Sequence, residues 1–214
     1  MLVVYRHEPG SKIPCYLTTM KESWYGDKRD LLKWSAVLHL CKQHRIESVF
    51  HVAMVTEPEP HTIIAEGQRV DVEKPVWQHF RSLENTLRLF RKDYLHIFDR
   101  PFTHKGRAHY FTEAVDELKA LAGRKLVLLD PDTGLEPTKV TEKHITLREC
   151  ITVWSSLAPS DLLLLYQHSW RAADWKDAAT KKLEDALDHA PLIKFEAPFA
   201  TDVVLLGAIN PSEE

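Results

Sequence analysis

The chain has 214 residues, a formal net charge of −3 and a hydrophobic fraction of 44%, which is enough to bury a core without disulfides or a structural metal. The slight acidic excess excludes a protein that holds nucleic acid by overall basic charge. The three cysteines form no CxxC pair and no apolar run approaches the ~20 residues of a membrane span, so we predict a cytoplasmic protein without membrane contact.

Helical and extended patterns alternate along the chain. Segments whose apolar residues recur with a helical period are predicted as helices: 27–45, 74–93, a short helix from Thr112 to Leu121, one that begins at the capping box of Thr146 and Glu149, and 174–189. Aliphatic and β-branched runs are predicted as strands: 48–56, 125–129, 162–166, 192–196 and 202–209. Residues 57–75 are predicted to be a polar connection, and residues 94–110 are predicted to be irregular.

The order of these elements predicts an α/β fold. Continuous apolar strands separated by amphipathic helices indicate a mostly parallel sheet with helices on both faces. The last two strands have no helix between them, so an antiparallel strand is expected near the C-terminus. The sequence shows no repeat, linker or low-complexity segment, and residues 1–214 are therefore predicted to form a single domain.

Polar side chains follow two of the predicted strands. The strand at 125–129 is followed by Asp130, Pro131, Asp132 and Thr133, and the strand at 162–166 by Gln167, His168 and Arg171. In open α/β sheets, ligands bind outside the carboxyl ends of the strands. These seven residues are therefore candidates for a functional site.

Asp130 and Asp132 allow two interpretations. In an extended chain their Cα atoms are about 6.6 Å apart and their side chains point the same way. Two carboxylates this close repel each other unless a cation or a hydrogen-bond donor neutralises them, which favours a site. The alternative is local: Asp132 begins a turn with Gly134, and Asp130 binds backbone amides.

The stretch "WYGDKRDLLKW" at 24–34 supplies a second group of candidates. Gly26 allows a close approach of the backbone, Asp27 can cap the helix that follows, and Asp30 and Lys33 are three residues apart on that helix. The structural alternative is a glycine turn, a capped helix and a surface ion pair.

Three stretches resemble a known family. The spacing of Gly26, Asp30, Leu32 and Lys33 fits G-x-x-x-D-[VL]-L-K and resembles the N-terminal motif of the bacterial large-subunit ribosomal RNA adenine-N6 methyltransferases. "LVLLDPDTGL" resembles the strand of that family that ends in D-P-P-Y, and "TDVVLLGAINP" resembles its closing strand. The chain is also similar to an uncharacterised bacterial family with Y-G-D-x-x-D, D-P-D-x-G-L and Y-Q-H motifs.

The resemblance implies a Rossmann-like methyltransferase fold with S-adenosylmethionine as cofactor and a nucleotide or nucleic acid as partner. It implies that Lys33 lies near the cofactor and that Asp130 and the Pro131 carbonyl hold the target amino group. Together with the polar residues at the strand ends and the helix start, this gives the predicted site: cofactor-binding residues Gly26, Asp27, Asp30 and Lys33, catalytic residues Asp130, Asp132 and His168, and substrate-binding residues Pro131, Thr133, Gln167 and Arg171. This chain departs from the family at three places: Thr133 replaces the stacking aromatic, Asp132 replaces the second proline, and "FHVAMVTEPEP" has no glycine.

Two other functions fit the same residues. The first is a metal-dependent phosphohydrolase or nuclease, in which Asp130 and Asp132 hold Mg²⁺ or Mn²⁺ and His168 is an acid, a base or a third ligand. The second is a non-catalytic domain that binds nucleotide or nucleic acid. Residues 91–111 favour the second, because basic side chains that neutralise phosphate alternate there with aromatic ones that stack on bases.

Overall fold

The structure, a computed structural model, describes residues 27–55, 62–65, 68–71, 84–91 and 93–211. The helices in these ranges are α1 (Lys28–Gln43), α2 (Glu84–Leu87), α3 (Arg107–Ala120), α4 (Leu147–Trp154) and α5 (Trp175–Ala186). The strands in the same ranges are β1 (Ser48–Val52), β2 (Thr62–Ala65), β3 (Gln68–Asp71), β4 (Leu95–Phe98), β5 (Lys125–Leu129), β6 (Gly134–Leu135), β7 (His144–Ile145), β8 (Leu162–His168), β9 (Leu192–Phe195) and β10 (Val203–Ile209).

Six of the strands form one mixed sheet in the order β4-β1-β5-β8-β10-β9. β4, β1, β5 and β8 are parallel, and β10 is antiparallel to both of its neighbours. The chain steps from β1 outward to β4 and then returns to β5 on the other side of β1, which makes the boundary between β1 and β5 a topological switch point. The predicted Rossmann-like α/β fold with an antiparallel strand near the C-terminus is confirmed.

The sheet has a hydrophobic core on each face. The α1 helix covers one face, where Val37 and Leu40 pack with Leu126 and Leu164. Helices α3, α4 and α5 contribute to the core on the other face. Because side chains alternate along a strand, the face covered by α1 also receives His51, which lies one residue before the end of β1.

Most predicted elements are present, with shifted ends. Thr146 and Glu149 form the predicted capping box at the start of α4, and Asp27 caps α1 by accepting hydrogen bonds from two backbone N–H groups. The strand predicted at 48–56 ends at Val52. Of the helix predicted at 74–93, the structure describes 84–91 and residue 93, and only 84–87 are helical.

Two segments without a predicted element contain regular structure, and the prediction that 94–110 is irregular is wrong. Residues 57–75 contain the antiparallel hairpin of β2 and β3, and 94–110 contain β4 and the first turn of α3. β4 has four residues, too few to show a period of two, and its pairing with β1 rather than its own pattern fixes it as a strand. None of the helices in the described ranges is long and apolar enough to cross a membrane.

Candidate functional site

A buried cluster of charged residues lies at the switch point of the sheet. The Nζ atom of Lys33 donates hydrogen bonds to Asp130 Oδ2 and Asp30 Oδ1, each at 2.8 Å. The Nε2 atom of His51 lies 2.9 Å from the same Asp130 Oδ2. His51 is 0% and Asp130 4% exposed, and Lys33 and Asp30 are also buried. The predicted ion pair of Asp30 and Lys33 is therefore an interior pair and not a surface one.

The fold brings these residues together from three elements. Asp130 follows β5 directly, and its backbone N–H donates to the Val52 carbonyl at the end of β1. The Asp27 cap fixes the start of α1, which places Lys33 in the second turn of the helix, above the carboxyl ends of β1 and β5. The Nζ atom of Lys33 also lies 5.2 Å from the centre of the Tyr166 ring on β8, a distance suited to a cation–π contact.

The charges in this cluster stabilise one another. Burial raises the pKa of Asp130, but the Lys33 ammonium and the hydrogen bond from His51 lower it by more, and the resulting pKa is about 2 against an ordinary 3.8. Burial lowers the pKa of Lys33, whereas the carboxylates of Asp130 and Asp30 raise it, and the net shift is upward. Asp130 is therefore an ionised acceptor at neutral pH, and Lys33 is its permanent counter-charge.

A second polar group lies at the carboxyl end of β8. Arg29 donates to Asp202 Oδ2 through Nε at 3.0 Å and Nη2 at 2.6 Å. The Nε2 atom of His168 lies 3.5 Å from the same oxygen. His168, Arg29 and Asp202 are partly exposed, unlike the buried cluster. His168 is thus a partly exposed imidazole beside the Asp202 carboxylate.

The other predicted site residues have varied positions. Gly26 lies outside the described residues. Asp132 is half-buried and Arg171 is exposed. Gln167 is buried and holds the turn after β5, since its side chain accepts from the Leu135 N–H at 2.8 Å and donates to the Thr133 carbonyl at 3.2 Å. The Thr133 hydroxyl donates to the Lys143 carbonyl at 2.9 Å, so Thr133 and Gln167 have clear structural partners.

Gly134 explains why the turn after β5 needs a glycine. Its φ is +108°, and a Cβ atom placed there would lie 2.4 Å from Gln167 Oε1. No L side chain fits without displacing Gln167, which itself holds the turn. The glycine of the "DPDTGL" stretch therefore serves the local structure, and the charged chemistry of the stretch rests with its aspartates.

His51 belongs to the cluster, although the sequence did not predict it. It lies inside the apolar run "SVFHV", which is explained as a buried strand without any role for its histidine. Its Nδ1 atom is buried and has no hydrogen-bond partner in the part of the chain that the structure describes. A polar residue near the end of an otherwise apolar strand was the available signal, because an interior histidine needs a partner.

The turn after β1 adopts a backbone conformation typical of glycine. Met54 has a φ of +46°, which costs a non-glycine residue of order 1–3 kcal/mol and persists only where surrounding contacts impose it. The backbone N–H of Met54 donates to the Tyr110 hydroxyl at 2.9 Å. The stretch after β1 therefore takes a left-handed backbone conformation at Met54 although it has no glycine, and the Tyr110 hydroxyl on α3 holds that conformation by accepting the Met54 N–H.

Replacement of Tyr110 with phenylalanine tests this contact. We expect Tyr110→Phe to lower the free energy of unfolding by about 1–2 kcal/mol, because the buried Met54 N–H loses its acceptor. Urea unfolding measures the change, with Tyr94→Phe as the matched control: the Tyr94 hydroxyl donates to the Ile46 carbonyl at 2.7 Å, so that variant removes one hydrogen bond outside the turn. Tyr110→Phe, but not Tyr94→Phe, should weaken the binding of a ligand at the switch point. If the two variants bind that ligand with equal affinity, Tyr110 does not hold the backbone at Met54 in a conformation that binding needs.

Asp99 is a further carboxylate at the end of a strand, and the sequence pattern does not mark it as a candidate. It follows β4 directly and is exposed. In doubly wound folds, an acidic residue after the second strand of the main sheet hydrogen-bonds the ribose of a bound nucleotide cofactor. In this chain, β4 is the second strand of the main sheet. The sequence does not predict β4, so no predicted strand end draws attention to Asp99.

The predicted metal site has little support in the geometry of Asp130. A lysine ammonium occupies the position beside Asp130 Oδ2 that a cation would take. Within the described ranges, no group of three or more His, Cys, Asp or Glu side chains could hold a metal ion. The joint ligation of a metal by Asp130 and Asp132 stays a prediction.

Four of the five aromatic residues predicted to stack on bases lie in the core, and the fifth, Tyr94, is partly buried. The four core aromatics are at most 3% exposed and belong to the hydrophobic core on the face of the sheet that α3 covers: Phe98, Phe102, Tyr110 and Phe111. Two of the neighbouring basic residues have acidic partners, since Arg107 pairs with Glu149, and Arg100 pairs with Glu113 and Glu117. Base stacking by these four aromatics is excluded, because their ring faces are covered.

The fold and the site together define a Rossmann-like α/β protein with a buried ionic cluster at its switch point. No protein-family model and no curated protein sequence matches the chain. The chain is similar in structure to a Thermobifida fusca YX protein whose crystal structure is described as that of a proposed methyltransferase. The two chains are 10% identical, the match covers 86% of this chain and 80% of the other, and the TM-score is 0.47. A second similar structure is that of the N-methyltransferase NodS from Bradyrhizobium japonicum WM9. It is 11% identical, the match covers 87% of this chain and 99% of NodS, and the TM-score is 0.40.

Proposed function

We propose that the chain is a methyltransferase that uses S-adenosylmethionine and methylates an amino group in nucleic acid, with N6 of adenine as the target. One observation carries the proposal. Lys33 and Asp130 belong to the two separate motifs that resemble the adenine-N6 methyltransferases, and the fold joins them at 2.8 Å although they are 97 residues apart. The contact lies at the switch point, where open α/β sheets bind their ligands.

The residues around the switch point fit a nucleoside-containing cofactor. The backbone takes a left-handed conformation at Met54, directly after β1, and the exposed Asp99 after β4 offers a carboxylate to the ribose hydroxyls. When bound, S-adenosylmethionine supplies an electrophilic methyl group on a sulfonium. Asp30 and Lys33 lie on the helix that closes this side of the sheet.

Asp130 serves as an acceptor that orients the target amine. With a pKa of about 2, its carboxylate is too weak a base to remove a proton at neutral pH, but it accepts an N–H of the amine and directs the nitrogen lone pair toward the methyl group. Lys33 and His51 fix the orientation of the carboxylate, and the Pro131 carbonyl is the expected second acceptor. The partly exposed His168 is the candidate to receive the proton that the amine loses.

Calorimetric titration with S-adenosylmethionine and S-adenosylhomocysteine tests the cofactor. Micromolar binding of both is expected, and Asp99→Ala should weaken it at least tenfold, which corresponds to about 1.4 kcal/mol. Asp116→Ala is the matched control, because Asp116 is also exposed but lies on α3. An absence of heat at millimolar cofactor would overturn the proposal.

Transfer of a labelled methyl group to RNA tests the substrate. Digestion of the labelled RNA to nucleosides should yield N6-methyladenosine, and Asp130→Asn should reduce the transfer rate by more than it reduces cofactor affinity. Label in a different nucleoside would retain the methyltransferase and reject the adenine target.

A further inference from the structure

A second concave site lies at the outer edge of the sheet, beside α2 and β4. Its volume is about 470 Å³, within the range of small-ligand sites. We call it the edge pocket, and its lining residues are Leu87, Arg88, Arg91, Asp93, Leu95 and His96. The edge pocket is separate from the ionic cluster, because none of Asp30, Lys33, His51 and Asp130 is among these lining residues.

The charge of the edge pocket favours an anion. Arg88 and Arg91 contribute two guanidinium groups and His96 adds an imidazole, while Asp93 is the one acidic side chain among the described residues of the lining. Neither arginine forms an ion pair with a carboxylate of the described residues, whereas Arg29, Arg100 and Arg107 do. The guanidinium groups of the pocket are therefore available to an external partner.

The wall of the pocket is held by packing. The Arg91 guanidinium lies 6.0 Å from the centre of the Tyr94 ring, and that ring stacks on Phe90 at 5.6 Å with an interplanar angle of 12°. The Tyr94 hydroxyl donates to the Ile46 carbonyl at 2.7 Å, which ties the wall to the start of β1. An arginine whose guanidinium lies against an aromatic ring loses less conformational freedom when it binds a ligand.

We infer that the edge pocket binds a phosphate group. Paired arginines match phosphate because each guanidinium offers parallel N–H donors to two oxygens. The apolar floor of Leu87 and Leu95 removes water from one side of the bound group and so strengthens the attraction. The phosphate belongs either to the backbone of a single-stranded nucleic acid or to a free anion. The inference does not depend on the proposed methyl transfer.

A binding comparison of two double variants tests the inference. The probes are a fluorescein-labelled single-stranded RNA, measured by anisotropy, and inorganic phosphate, measured by calorimetry. Arg88→Ala with Arg91→Ala should weaken binding of the responding probe at least tenfold. Lys119→Ala with Arg148→Ala is the control, because both residues are exposed on other helices and the net charge changes equally; its effect should stay below twofold.

The outcomes separate the two sources of phosphate. Binding of RNA that the pocket variant weakens, with a salt slope reduced by about 1.4, shows contact of two arginines with a nucleic-acid backbone. Saturable binding of phosphate without binding of RNA shows a site for a free anion. Equal losses in both double variants, or no binding of micromolar RNA and millimolar phosphate by the unchanged protein, would overturn the inference.

Discussion

Replacement of Asp130 with alanine is expected to lower the free energy of unfolding by about 3–5 kcal/mol, the usual cost of removing one partner from a buried ion pair. The Lys33 ammonium would keep Asp30 as its remaining carboxylate, and His51 would lose the acceptor of its Nε2 atom. For a chain of this length, the melting temperature should fall by about 2–4 °C for each kcal/mol. Urea unfolding and thermal melting both measure the effect.

A double-mutant cycle separates the ion pair from general loss of packing. If Lys33 and Asp130 interact as the structure describes, Lys33→Met with Asp130→Ala should cost at least about 1 kcal/mol less than the sum of the single changes. Asp177→Ala provides the control, because the Asp177 side chain is 87% exposed and should change stability by no more than about 0.5 kcal/mol. Strict additivity would show that the two side chains do not stabilise each other.

The positions of the candidate residues at the start of α1 and the end of β5 are predictable from the sequence because their signals are local. Asp27 caps a helix with a clear apolar period, and Asp130 follows an aliphatic run that reads as a buried strand. The contact of Asp130 with Lys33 needs more than local pattern, since it depends on the order of strands in the sheet. The resemblance to a known family suggested a shared site, and the parallel pairing of β1 with β5 supplies the geometry.

The contributions of β4 and His51 were hidden for different physical reasons. β4 is a strand because β1 supplies its hydrogen-bond partners, and four residues with a polar His96 among them show no pattern. His51 is masked by the hydrophobic strand around it. The prediction that Tyr110 and Phe111 stack on bases is wrong because composition does not reveal which side of a helix faces the core, and α3 buries both side chains.

The ionic cluster should also make stability depend on pH in the acid range. The pKa of Asp130 is about 2 in the folded chain, below its ordinary 3.8, so the unfolded chain takes up the proton first as the pH falls. The contribution of Asp130 is therefore complete above about pH 5 and is lost as the pH approaches 2. The difference between the two pKa values corresponds to about 2 kcal/mol, of which about 1 kcal/mol should be lost by pH 3.

Asp130→Asn isolates this contribution, because the amide has nearly the same shape and does not titrate. The difference in unfolding free energy between the unchanged protein and this variant should shrink by about 1 kcal/mol between pH 5 and pH 3, since all other carboxylates cancel in the comparison. Urea unfolding at closely spaced pH values measures it. A difference that stays constant across this range would mean that Lys33 and His51 do not hold the Asp130 carboxylate in its ionised form.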